Sequence, residues 1–196
     1  MIIDQLHIIL GSGSPRRKQL IDALGFNYTQ IVYPINEEIP KDLSPEKVAE
    51  YLSREKSKAF NPNDLKKNEV VLTADTVVIA SNKILGKPKD YEEAYAMIKS
   101  LSGKKHEVIT GVTLKSQEKI SSFSSTTKVQ FKELDKDEIN YYITTFKPYD
   151  KAAAYGIQEW IGQIGIEKVE GCFYNVMGLP TSLIWSNLKN DFSSFN

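Results

Sequence analysis

Residues 7–25 read H-I-I-L-G-S-G-S-P-R-R-K-Q-L-I-D-A-L-G. His7 to Leu10 form a short apolar run of the kind that makes a buried strand. Gly11 to Ser14 are small and turn-prone. Ser14 is a good N-cap and Pro15 suits the first helical position, where its missing N–H costs nothing. Leu20, Ile21 and Leu24 then share one helical face, and Gly25 supplies the stop. A strand, a small-residue turn and a helix in this order mark an α/β chain. Small residues let a backbone approach a ligand closely, and a helix N-terminus offers unpaired N–H groups at a positive dipole end. Arg16 and Arg17 sit in that first turn, where the dipole favours acidic residues instead. A bound anion would resolve the conflict; the alternative is an ordinary junction with solvated arginines. Neither a Walker A loop nor a dinucleotide fingerprint fits, because Gly-Lys-Ser/Thr and a third glycine are both missing.

Outward from this unit, a strand is expected near Tyr28–Tyr33. Ser44 and Pro45 start a second helix carrying Val48, Leu52 and Ala59. Val70–Thr73 and Val77–Ala80 are β-branched runs separated by Ala74-Asp75-Thr76, and Ser81-Asn82-Lys83 reads as a turn into Ile84-Leu85. Asp90 with Glu93, and Asp135 with Glu138, have capping-box spacing ahead of two further helices. Glu107–Lys115 and Ile120–Phe131 read as antiparallel strands. An irregular stretch leads to short strands near Ile164–Val169 and Cys172–Val176, then a helix from Pro180 and a loose tail after Asn190. Adjacent strands with short turns alongside helix–strand alternation predict a mixed, partly antiparallel sheet flanked by helices.

The 196 residues, 41% of them hydrophobic, suffice for one packed domain. Lys plus Arg number 25, as do Asp plus Glu, so net charge is zero. A general polyanion binder is normally basic, which argues against a nucleic-acid partner. One cysteine, Cys172, and two histidines leave no disulfide framework, thiolate centre or His-rich metal site. Neither a signal peptide nor a run of about 20 apolar residues is evident. A cytoplasmic protein with no membrane association is expected.

Several side chains stand out. Asp75, inside an apolar run, is costly to bury unless paired or bound to metal; it is expected at a strand end, either displayed for chemistry or as a turn aspartate. Lys56 falls on the apolar row of its helix, where a lysine either meets a buried partner or snorkels outward. Lys87 is held between Gly86 and Pro88, and a turn lysine is its plain reading. Glu37 and Glu38 offer a second carboxylate for a divalent cation or a solvated loop. His106 reads as structural. Lys151 to Gln158 joins small residues to one Lys and one Gln, whose amide can both donate and accept as a base edge requires. Together, clustered cations with one or two magnesium-competent carboxylates suit phosphoanhydride hydrolysis.

These segments resemble the Maf family. Ser12-Gly13-Ser14-Pro15-Arg16-Arg17 is similar to its S-x-S-P-R-R signature and Ile35-Asn36-Glu37 to V-D-E. Leu52 to Ser57 is similar to L-A-x-x-K-A, Ala74 to Val78 to A-D-T-V-V, and Leu85 to Pro88 to L-G-K-P. Leu101-Ser102-Gly103 with His106 to Val112 resembles L-S-G…H-x-V-x-T-G-V. Lys151 to Gln158 resembles K-A-G-A-Y-G-I-Q, and Gly171 to Pro180 the closing G-x-x-x-N-V-x-G-L-P. The motifs run in order over residues 8–182. Gly11 stands for a usual Ala, Asn36 for Asp, Phe146-Lys147-Pro148 for G-E-P, Ala153 for Gly, and Glu159 for the Gly after Gln158.

The resemblance implies a single domain over residues 1–196. Its elongated mixed sheet would be like that of inosine-triphosphate pyrophosphatases, with two lobes around a cleft, commonly dimeric. It implies cleavage of a nucleoside triphosphate between the α and β phosphates with a divalent cation, magnesium or manganese. Asp75 would be the base or metal-linked carboxylate, with Glu37 as partner ligand. Ser12, Ser14, Arg16, Lys56 and Lys87 would hold phosphates, with Arg17 and Lys151 in the same substrate-binding set, and Thr76 and Gln158 would position the substrate. Tyr-Gly-Ile-Gln resembles the subfamily acting on dTTP and UTP. The alternatives are the same reaction on 7-methyl-GTP or another purine nucleotide, and a nucleotide-binding regulator of septum formation.

Overall fold

The computed structural model describes residues 1–192. A short helix α1 (Ile2–Gln5) leads into β1 (His7–Leu10), α2 (Pro15–Leu24) and β2 (Asn27–Gln30). β1 and β2 are parallel, with His7 opposite Asn27 and Leu10 opposite Gln30, so α2 is the crossover helix such a pair requires. Ser14 caps α2 by accepting the Arg17 N–H, and Gly25 ends it in the left-handed conformation at φ 77°, as the sequence predicts. No regular element follows until α3 (Pro45–Lys58).

The next strand departs from expectation. β3 (Glu69–Ala80) is one unbroken strand of 12 residues. Asp75 therefore sits at its middle, not at a strand end. Aspartate disfavours a strand interior, which is why Ala74-Asp75-Thr76 read as a break. The strand continues because the carboxylate finds a cationic partner. β4 (Lys83–Leu85) returns antiparallel to β3 through Ser81 and Asn82, at φ 49° and 59°, the paired positive φ of a tight hairpin turn.

α4 (Tyr91–Leu101), β5 (Lys105–Lys115), β6 (Ile120–Phe131) and α5 (Lys136–Phe146) follow. Asp90 caps α4 through the Glu93 N–H, but the Glu93 carboxylate takes the Lys89 N–H, one residue earlier than a capping box needs. Asp135 and Glu138 form the full reciprocal box at α5.

The last third holds α6 (Trp160–Gly165), β7 (Ile166–Glu170), α7 (Phe173–Met177) and α8 (Thr181–Asp191). α6 replaces the expected irregular stretch. Its glycines hid it, yet a Cβ on Gly162 would lie 1.8 Å from the Ile157 carbonyl oxygen. α7 replaces the strand expected at Cys172–Val176. The aromatic sequence favours a strand, but Gly171 (φ 126°) and Gly178 (φ 117°) bracket it. Asn175, fully buried, donates to the Val108 carbonyl and Thr127 Oγ1. α8 reaches Asp191 and Phe192 is buried; the rest of the tail expected to be loose lies outside the described residues.

The seven strands run β2-β1-β3-β5-β6-β7, with β4 paired to β3. β1 is parallel to β3 as well as β2, whereas β7 is antiparallel to β6. The sheet is mixed, as the sequence predicts. The chain forms two compact units: residues 1–75, 110–125 and those from 178 onward, and residues 76–109 and 126–177. Ile8, Leu10, Ile21, Leu72 and Leu114 are fully buried in the first. Ile98, Leu101, Phe131, Ile139 and Tyr142 are fully buried in the second.

Candidate functional site

The first unit brings six expected residues, Ser12, Ser14, Arg17, Glu37, Lys56 and Asp75, into one connected arrangement. The turn after β1 is anchored by the Gly11 N–H to the Leu72 carbonyl at 2.9 Å and by Gln30 Nε2 to the Ser12 carbonyl at 2.7 Å. A Cβ on Gly11 would meet Thr73 Cγ2 at 2.7 Å, so the turn lies against β3 with no room for a methyl. The Ser14 N–H donates to Ser12 Oγ at 3.3 Å.

Arg17 is not a solvated arginine. Its guanidinium is buried, donating from Nη1 to Ser12 Oγ (3.1 Å) and the Ala74 carbonyl (2.9 Å), and from Nε to the Gly178 carbonyl (3.0 Å). Burial lowers its pKa, while Asp75 and Glu37 act in the opposite direction. An arginine remains charged regardless. Arg17 therefore ties the turn to the residue preceding Asp75. Arg16, half-buried in the same helical turn, adds a second positive charge.

Asp75 and Glu37 converge on one ammonium. Lys56 Nζ lies 2.5 Å from Asp75 Oδ1 and 2.9 Å from Glu37 Oε1. The Lys56 and Asp75 side chains are 19% and 18% exposed, so solvent screens them only in part. The apolar row of α3 thus carries a paired lysine. Neighbouring groups that the sequence did not single out fix the helix. A Cβ on Gly111 would lie 2.2 Å from the α3 backbone at Ala49 and Glu50, so β5 and α3 touch backbone to backbone. Thr73 Oγ1 donates to the Ser53 carbonyl at 2.7 Å, and Ser53 Oγ meets Thr113 Oγ1 at 2.9 Å. Lys115 Nζ donates to the Ser57 and Phe60 carbonyls at 3.1 and 2.5 Å, satisfying acceptors at the helix C-terminus.

In the second unit, Lys87 is exposed on the loop after β4 and Thr76 is half-buried in β3. The Gly86 carbonyl accepts the Ala153 N–H at 2.9 Å, joining the L-G-K-P loop to the Lys151 segment. Lys151 is buried and already paired, 2.8 Å from Asp150 and 3.1 Å from Glu159. Gln158 is half-buried, and its Oε1 is buried without a hydrogen-bond partner. His106 is structural, as expected: 3% exposed, bonded through Nε2 to the Tyr155 hydroxyl at 2.7 Å and stacked on Phe131. Burial lowers its pKa to about 4.

The donor set suits a hard divalent cation. Two carboxylates already gather around a positive charge, with Lys56 Nζ standing where a cation is stabilised. Magnesium commonly takes one or two carboxylates and completes its shell with water and substrate phosphates. Among the described residues no cluster of three or more metal-ligating side chains occurs, so any such ion would complete its shell with water and substrate oxygens.

The α/β fold thus holds a tethered small-residue turn, a buried arginine and a carboxylate–lysine cluster. The chain belongs to the Maf family: residues 7–191 match the model described as Maf-like protein. It is 49% identical over 191 residues to a dTTP/UTP pyrophosphatase of Porphyromonas gingivalis, covering 96% of each chain. Similar relatives carrying the same name come from Christiangramia forsetii (48% identical, 95% of each chain) and Bacteroides thetaiotaomicron (45% identical, 95% of this chain and 97% of that one). Among solved structures, the Staphylococcus aureus Ham1 protein is a distant likeness at 15% identity and a TM-score of 0.42, over 64% of this chain and 71% of that chain. No described helix is long and apolar enough to cross a membrane.

Proposed function

We propose that this chain is a nucleoside triphosphate pyrophosphatase that hydrolyses dTTP and UTP to the monophosphate and pyrophosphate. The observation that carries the proposal is the convergence of Asp75 and Glu37 on Lys56, beside the turn that Arg17 ties to Ala74. Relatives at 45–49% identity over nearly the whole chain bear that activity in their names.

Water attacks the α-phosphorus, the bond to the bridging oxygen breaks, and pyrophosphate leaves. Asp75 receives the proton of the attacking water. Of the three donors on the Lys56 ammonium, two serve the carboxylates and the third is directed to a phosphate oxygen. Ser12, Ser14 and Arg16 hold phosphate oxygens at the helix N-terminus, and Arg17 braces the turn that presents them. Lys87 adds a further cation and Thr76 a hydroxyl, while Gln158 reads the base edge. Asp75 and Glu37 would hold a magnesium or manganese ion, which supplies charge neutralisation to the phosphates. We place the enzyme in the cytoplasm, as a homodimer acting on a small-molecule nucleotide without a nucleic-acid partner.

The test is pyrophosphate release from a nucleotide panel with magnesium or manganese. Asp75→Asn removes the proton acceptor while keeping the side chain's shape, and turnover of dTTP and UTP should fall at least about a thousandfold. Normal turnover by the variant would refute the role of Asp75. Preference for 7-methyl-GTP or another purine would refute the substrate class.

A further inference from the structure

Glu159 follows Gln158 directly and is a departure from the glycine usual at that position. Its carboxylate is only 20% exposed and is held on both oxygens. Oε1 pairs with Lys151 Nζ at 3.1 Å, and Oε2 accepts the hydroxyl hydrogen of Tyr142. Tyr142 is completely buried in α5, and its oxygen in turn accepts the Gly156 N–H at 3.0 Å. The Glu159 side chain lies against Gly156, where a Cβ would meet its Cδ at 2.8 Å. An unbroken polar chain thus runs from Lys151 through Glu159 and Tyr142 to Gly156, clasping the segment from 151 to 159 at its start, middle and end.

Two facts give the clasp a purpose. The segment is strained: Ala153 and Ala154 take φ values of 55° and 60°, a conformation that non-glycine residues adopt at a cost. It also presents Gln158, whose buried Oε1 has no hydrogen-bond partner in the protein. A buried amide oxygen without a partner is costly, and an N–H donor from a ligand would satisfy it. Burying the Lys151 and Glu159 charges as a hydrogen-bonded pair fixes geometry more than it adds stability.

We infer that Glu159 is a positioning residue for base recognition: held by Lys151 and Tyr142, it fixes the backbone from which Gln158 meets the edge of a pyrimidine carrying a ring N–H donor. The inference deepens the function proposed above and rests on it for the identity of the nucleotide. It also removes Lys151 from the phosphate-binding cations, since its charge is spent within the clasp.

The test is calorimetric binding of dTMP, UMP and CMP to the parent chain, Glu159→Gln and Tyr142→Phe, with turnover of dTTP measured in parallel. Thermal melts verify that each protein is folded. Tyr142→Phe deletes one hydroxyl and serves where Glu159→Gln misfolds. Loss of one hydrogen bond to a charged group corresponds to about tenfold. Both variants should weaken dTMP and UMP by about that factor while CMP, whose ring N3 carries no hydrogen to donate to Gln158, is unchanged. For dTTP, KM should rise more than kcat falls. Equal weakening of all three monophosphates, or unaltered dTMP affinity, would overturn the inference. A parent chain that binds dTMP selectively but releases no pyrophosphate would refute the proposed function alone, and the binding ratios would still decide the role of Glu159.

Discussion

Ala153 sits where the family usually has glycine, and its backbone is left-handed at φ 55° in a fully buried position. A left-handed alanine costs about 1–2 kcal/mol relative to glycine. Glycine costs about 0.4–1 kcal/mol more to order from the unfolded chain. The first effect is the larger, so Ala153→Gly should raise stability by about 0.5–1 kcal/mol. Denaturant melts check this, and a lower midpoint at unchanged slope would show that the methyl packs better than the backbone suffers. The same accounting explains why the residue could not be judged from sequence. A methyl in place of hydrogen could crowd a ligand or stiffen a loop, and only the φ angle decides. Lys151 is a parallel case. Its pairing with Glu159 depends on a side chain that folds back from the N-cap position of the next helix, which no local pattern announces.

The contact between α3 and β5 controls where Lys56 points. Gly111 has no space for a side chain there, its Cβ position lying 2.2 Å from backbone atoms that cannot rotate away. Gly111→Ala should force the two elements apart and cost about 2–3 kcal/mol or more. Thermal melts with turnover of dTTP check it, turnover falling even at temperatures where the variant stays folded. A variant with the parent's midpoint and rate would show that α3 adjusts freely. At this scale the sequence was legible wherever local rules governed. Ser14, Gly25, Asp135 and Glu138 announced helix ends, the apolar run His7–Leu10 announced β1, and the β-branched runs Val70–Thr73 and Val77–Ala80 announced the two halves of β3. It failed where distant partners overrode local preference. Asp75 sits mid-strand because Lys56 meets it, and Phe173–Met177 is helical because Asn175 is drawn to β5 and β6. The Thr73–Ser53–Thr113 links and Lys115 carried no motif that could have found them.

Acid should weaken the molecule through His106. Its folded pKa is about 4 against 6.5 for the ordinary group, because burial disfavours the charged ring. The unfolded chain therefore binds a proton that the folded chain refuses between those values. His106 contributes its full stabilisation above pH 6.5 and loses it as pH falls toward 4, a change of about 3 kcal/mol. Chemical denaturation across pH 7.5 to 4.5 should show a steeper loss in the parent than in His106→Phe. Identical slopes would remove His106 as the cause.

Neither compact unit is a contiguous piece of chain. The first is assembled from three separate segments, and Arg17 completes its bonds only with the carbonyl of Gly178, 161 residues later. A ribosome delivers the chain from its N-terminus. The turn after β1 therefore emerges well before its last partner and cannot close until Gly178 has been made. A chain halted before residue 178 leaves a buried guanidinium short of an acceptor. Premature termination should thus yield clients for chaperones and proteases, not a shorter folded protein, and neither unit can be cloned as a simple fragment.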